Sequence, residues 1–166
     1  MPGAYNSIMS FLRFLMMLAL IVWLGGLIFF AFVLAPTVFT VLPTRHLAGS
    51  VVSSALAKLH WMGIVSGLIF LVSSLIYARL TTGAAHVLAV RHLLLYLMLA
   101  LTLISQFGIT PRMAALRGAM GEIDRVPLSD SARVAFDALH VWSTRLESGV
   151  LFLGLIVVYL TAAQFR

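Results

Sequence analysis

Apolar residues in this chain come in long blocks, not in the short alternating runs of soluble strands or the one-sided stripes of soluble helices. The blocks run over about residues 8–35, 54–80, 86–110 and 130–163. Each passes the roughly 20 apolar residues that a helix needs to cross a bilayer. Within lipid a segment must satisfy its own backbone hydrogen bonds, so such blocks are predicted to be helical. The expected architecture is all-α: one integral membrane domain over residues 1–166, folded as an up-and-down bundle of four transmembrane helices.

Punctuation sets the expected boundaries. Pro36 and Pro111 are predicted to close the first and third helices, because a proline disfavours helical geometry in the residue before it. Thr81-Thr82-Gly83 marks a turn, and Ser129-Asp130 is a candidate N-cap for the fourth helix. That helix is longer than a bilayer is thick, so its first turns, with Arg133 and Asp137 at an i,i+4 spacing, are expected in water. Residues 111–129 are the most polar stretch and are predicted to be an aqueous loop with a helical turn at 113–120. There is also internal similarity. Ser66-Gly67-Leu68-Ile69-Phe70-Leu71, leading to Tyr77, resembles Ser148-Gly149-Val150-Leu151-Phe152-Leu153, leading to Tyr159. Leu59-His60 and Leu139-His140 stand ahead of the two stretches. A pair of repeated helical hairpins is one reading of this, and chance similarity of apolar sequence is the other.

Composition agrees with the pattern. Hydrophobic residues make up 62% of the chain and charged residues 10%, against about 45–50% and about 25% in soluble domains. The absence of cysteine excludes disulfides, thiolate zinc sites and iron–sulfur clusters on this chain. The net charge of +6 is spread singly between apolar blocks, a pattern for headgroup contact and topology and not for a nucleic-acid platform. Arg45, Lys58, Arg112, Arg117, Arg125, Arg133 and Arg145 fall on the side of the first and third connections. Arg13, Arg79, Arg91 and Arg166 fall on the other. The basic excess places the first group in the cytoplasm and both termini outside.

Ionisable residues within spans are costly and turn inward or toward water. An up-and-down bundle gathers His60, Gln106, Arg112, His140 and Glu147 at one end, with His140 and Glu147 on one face of the fourth helix. Two readings compete: charges neutralising one another to hold the bundle shut, and a polar chamber that binds a ligand. Trp61 and Trp142 fit an interfacial belt. Arg91, His92, His46 and His86 are expected to be solvated. Gly25, Gly26, Gly63, Gly67 and Gly149 are candidate close-packing positions, within the bundle or in a homo-oligomer. His60 and His140 on facing helices are the pair that would ligate a b-type haem, and methionines with histidines would suit a soft metal. Met16-Met17 are more ordinary as packing. Nucleotide-loop, zinc-protease and serine-triad motifs are absent, so an enzyme is not the favoured class.

Trp23-Leu24-Gly25-Gly26, then Phe29-Phe30 and Ala35-Pro36, resemble the first-helix signature of a poorly characterised family of four-helix membrane proteins. Thr110-Pro111-Arg112, Leu116-Arg117, Phe136 and Leu139-His140 extend the similarity along nearly the whole chain. The family includes the eukaryotic transmembrane protein associated with cisplatin resistance. The resemblance implies a bacterial inner-membrane location here and a role in handling soft metals or drugs, but brings no catalytic residues. Three functions follow as alternatives: a non-enzymatic scaffold, assembly factor or small subunit of a membrane complex; a transporter or metal- and drug-handling protein using the polar chamber; and a haem-binding redox protein.

Overall fold

The computed structural model describes residues 2–164, which fold as four long helices joined by short connections. We label them α1 (Ala4–Val41), α2 (Arg45–Thr82), α3 (Val90–Met120) and α4 (Ser131–Ala163), all four long and apolar enough to cross a membrane. Among the described residues there is no strand. The helices run alternately up and down. α1 packs mainly on α2 and α3 mainly on α4, while α2–α3 and α1–α4 contacts close the ring. One end of the bundle carries the α1–α2 and α3–α4 connections, here the connection end. The other carries the α2–α3 turn and the chain termini, here the termini end.

The prolines do not end their helices. Proline lacks an N–H, and its ring collides with the carbonyl four residues earlier. In both helices one wide turn just ahead of the proline absorbs the conflict. In α1 it spans Phe30–Leu34, and the Ala35 N–H reaches back five residues to the Phe30 carbonyl. In α3 it spans Ile104–Ile109, with the Thr110 N–H bonded to the Ser105 carbonyl. The expected ends at residues 35 and 110 therefore move to Val41 and Met120, and the predicted helical turn at 113–120 is the last part of α3. Wide turns of this kind cluster at functional sites, and here they carry two helices past the expected spans.

Capping accounts for the other boundaries. α2 begins at Arg45, well ahead of the apolar block at residue 54, because the Thr44 side chain accepts a bond from the Leu47 N–H at 3.2 Å. It ends at Gly83, whose φ of 76° closes the last turn onto the Arg79 carbonyl. Asp130 Oδ1 accepts from the N–H groups of Ala132 (2.8 Å) and Arg133 (3.2 Å), the N-cap read from the sequence. A helix of 38 residues is about 57 Å long at 1.5 Å per residue. The hydrocarbon core is only about 30 Å thick, so α1 and α2 project well beyond it.

The core holds Met16, Trp23, Phe70, Leu95, Met98, Val150 and Val157. Trp23 lies across α2 where a Cβ at Gly63 or Gly67 would run into its indole. Gly154 accepts Leu24 of α1 in the same way, and Gly26 accepts Leu59. These glycines let helices approach more closely than any side chain would allow. Gly149 has ordinary contact with Leu101, whereas a Cβ at Gly25 would meet nothing. Outward positions such as Phe11, Phe14, Ile21, Phe32 and Phe152 are large, apolar and exposed, as lipid contact requires. Residues matched in the internal similarity do not share surroundings: Phe70 is fully buried and Phe152 exposed, and Tyr77 is buried while Tyr159 is exposed.

Candidate functional site

The connection end holds two polar features. The first is a closed cluster deep between α2, α3 and α4. His60, only 1% exposed, lies between two acceptors, with Nδ1 2.8 Å from Gln106 Oε1 and Nε2 2.7 Å from Glu147 Oε1. Ser105 Oγ donates to the same Glu147 oxygen at 3.0 Å. The wide turn of α3 contains both Ser105 and Gln106, so the distortion ahead of Pro111 is what offers these two consecutive side chains to α2 and α4. With the Gln106 amide oxygen toward Nδ1 both ring nitrogens donate, giving an imidazolium beside the Glu147 carboxylate, whereas with the amide turned over a neutral imidazole serves both partners.

Three of the five residues expected to meet therefore do so: His60, Gln106 and Glu147. Arg112 is exposed and makes no ion pair or hydrogen bond among the described residues. His140 is exposed on α4 and lines the neighbouring cleft. Ser105 is the member that the sequence reading missed. Its signal was its place beside Gln106, but on a regular helix neighbours point about 100° apart, and only the wide turn brings both to bear. A haem does not fit this arrangement. An axial ligand needs a nitrogen lone pair, and both His60 nitrogens are committed to Gln106 and Glu147. Among the described residues no three His, Asp or Glu side chains gather as a metal site.

The second feature is a cleft of about 550 Å³ between the projecting part of α1, the first turns of α2, the end of α3 and the first half of α4. Leu27, Phe30, Pro36, Phe39, Leu56 and Leu151 form its apolar wall. Arg45, Arg117, Arg133, Asp137, His140 and Glu147 form the polar one. The extensions of α1 and α3 past their prolines build much of this wall, so the cleft exists because those helices continue.

Charge accounting singles out one residue of the cleft. The chain has five acidic residues, and each has a partner. Glu122 pairs with Arg125 at 2.7 Å, Asp124 with Arg45 at 3.8 Å and Asp137 with Arg133 at 3.2 Å. Asp130 caps α4, and Glu147 meets His60. Arg117 is left without a carboxylate. Its guanidinium lies over the Phe136 ring, 5.3 Å from the centroid, and beside Gly49, where a Cβ would come within 3.2 Å of Nη2. It is half-buried, held by an aromatic face, and open to the cleft.

The termini end is also more structured than expected. Arg91 and His92, expected in solvent, are buried. His92 Nδ1 is 2.7 Å from the His86 carbonyl and must donate to it, while Nε2 lies 2.8 Å from Ser74 Oγ. The imidazole thereby ties the α2–α3 turn to α2. His46 lies in the first turn of α2 and not in a loop, and His86 is exposed in the α2–α3 turn. Trp61 and Trp142 are exposed, Trp61 edge-to-face with Phe107 and Trp142 under the Arg145 guanidinium, as belt residues are.

No curated protein and no solved structure matches this chain. One family does, over residues 18–122. The matched region takes in Trp23, the glycines of α2, both wide turns and all three side chains clustered with Glu147, but stops short of α4. As it spans more than half of the chain, the protein belongs to the family described as Domain of unknown function (DUF4149).

Proposed function

We propose that this is a non-enzymatic integral membrane protein that binds an amphiphile with an anionic head in the cleft between α1 and α4. The observation that carries the reading is Arg117. A half-buried guanidinium with no carboxylate partner, at the polar side of an otherwise apolar cleft, matches a negatively charged head, and the apolar wall matches a hydrocarbon tail. The bonds among His60, Gln106, Ser105 and Glu147 support a structural role for these polar groups. Both ring nitrogens of His60 and one Glu147 oxygen are engaged in them, which suits a rigid floor to the cleft.

The same features suit a scaffold, assembly factor or small subunit whose cleft holds a lipid or a partner's acyl group. They also suit a handler of amphiphilic drugs, the sense in which the resemblance to the cisplatin-resistance family applies. The basic excess at the connection end favours placing that end in the cytoplasm of a bacterial cell, with the termini outside. The test is extraction under mild detergent followed by mass spectrometry of bound small molecules. An anionic amphiphile is expected with the wild-type protein and is lost on Arg117→Gln with the fold intact. Equal recovery from both proteins would count against the cleft as its site.

A further inference from the structure

At the termini end no acidic side chain accompanies the arginines. No Asp or Glu precedes Glu122 or follows Glu147, and all five have partners at the connection end. Yet Arg91, in the first turn of α3, is only 7% exposed. Its Nε and Nη1 are buried without a hydrogen-bond partner among the described residues. Its neighbours give no relief. His92 is committed to His86 and Ser74. Tyr77 lies within electrostatic reach of Arg91, but its hydroxyl already accepts from Arg13, at 3.2 Å from Nε and 2.8 Å from Nη2. The Arg13 guanidinium also lies over the Tyr77 ring, 5.4 Å from its centroid. Two guanidinium groups thus gather about one phenol, beside the N-terminal end of α3, where the helix dipole is positive.

A buried cation without a partner is expensive. Native structures keep such a group where an external ligand completes it. We propose that Arg91, with Arg13 beside it, is a binding site for a phosphate-type oxyanion supplied by the headgroup of an anionic phospholipid in the leaflet at the termini end. Guanidinium groups bind phosphate in paired N–H···O contacts, and Arg91 offers two donors that no described residue uses. The site is at the opposite end from the cleft and does not depend on the amphiphile reading given above. It would staple the α2–α3 turn to the start of α1, next to the bond from the Tyr5 hydroxyl to the Leu80 carbonyl at 3.1 Å.

The test uses the full chain, delipidated in detergent and extended past Arg166 by a neutral peptide, so that the terminal carboxylate is carried away from this end. Bound lipid is counted by native mass spectrometry, and thermal unfolding is followed with phosphatidylglycerol, phosphatidylcholine or inorganic phosphate added. Phosphatidylglycerol is expected to bind and raise the unfolding temperature, with phosphatidylcholine ineffective. Arg91→Met should lose one bound phosphatidylglycerol and most of the shift, while Arg79→Gln, at an exposed site on the same end, keeps both. Arg91→Lys, which retains the charge but not the fork, should bind about tenfold more weakly. Without lipid, Arg91→Met should unfold no earlier than wild type, since it removes an unpartnered charge. Arg117→Gln should leave the Arg91-dependent lipid in place, so failure of the cleft reading and failure of this one are distinguishable. Equal phosphatidylglycerol binding by wild type, Arg91→Met and Arg91→Lys overturns the site. A shift with inorganic phosphate as large as with phosphatidylglycerol overturns the lipid source.

Discussion

Replacing His60 and Glu147 by leucine, singly and together, tests whether the buried cluster is an ion pair or a set of independent hydrogen bonds. His60→Leu leaves the Glu147 carboxylate with the Ser105 hydroxyl as its one remaining donor. Glu147→Leu leaves the imidazole with Gln106 alone. Breaking a buried pair by removing one partner costs about 3–5 kcal/mol, because the other charge is stranded. Glu147 retains 16% exposure, so the lower figure of about 3 kcal/mol applies to each single change. The double replacement strands no charge. It leaves Gln106 and Ser105 short of one partner each, at about 1 kcal/mol apiece, for a total near 2 kcal/mol. The two single changes thus sum to about 6 kcal/mol against about 2 kcal/mol for the pair, a coupling of roughly 4 kcal/mol, within the range measured for close charge pairs. Reversible unfolding in mixed micelles by titration with a denaturing detergent, read by tryptophan fluorescence, gives the four free energies of the cycle. If the single changes add to within about 0.5 kcal/mol, the groups do not interact as charges and the imidazolium–carboxylate reading is wrong.

Three further perturbations probe other parts of the molecule. Gly63→Ala drives a methyl into the Trp23 indole and should cost about 1–3 kcal/mol as overpacking, whereas Gly25→Ala, into open space, should be neutral or slightly stabilising; the same unfolding titration compares them. Pro111→Ala restores the missing N–H and permits a regular turn, which should withdraw Ser105 or Gln106 from the cluster; a drop in the His60–Glu147 coupling by half or more is the expected readout, and an unchanged coupling would show that the wide turn does not depend on the proline. Gly121 has φ of 64°, so Gly121→Val should destabilise the α3–α4 connection by about 1–2 kcal/mol, seen as earlier proteolysis of the 121–130 segment.

The helices were legible because bilayer thickness and backbone satisfaction leave an apolar block no other structure. The caps were legible where the signal is local: Asp130 and Gly83 do what their residue types predict. Pro36 and Pro111 were misread for a physical reason. A proline's conflict with the preceding turn is local, but the cure is the wide turn, and whether a helix adopts it depends on the neighbours that reward continuing. Here the rewarded continuation is the cleft wall of Phe39, Met113 and Arg117. The burial of Arg91 and His92 was hidden for a related reason. Both sit in the first turn of α3, next to the 83–89 turn, where ionisable residues at a helix end are expected in water. Burial is decided instead by Ser74 and Tyr77, on a helix that the α2–α3 turn folds back beside them.

The partner accounting gives the molecule a polarity that neither end shows alone. With every acidic side chain committed at the connection end, two shielded arginines, Arg117 and Arg91, have no carboxylate partner among the described residues, and they are shielded in different ways. Arg117 rests on an aromatic face and is open to a cleft large enough for a tail, so an anion there arrives with hydrocarbon attached. Arg91 is almost fully buried in the first turn of α3, near Tyr77 of α2, so an anion proposed there is a compact head whose tails stay in the surrounding lipid. A membrane component that reads or carries anionic amphiphiles is the assignment that uses both arginines.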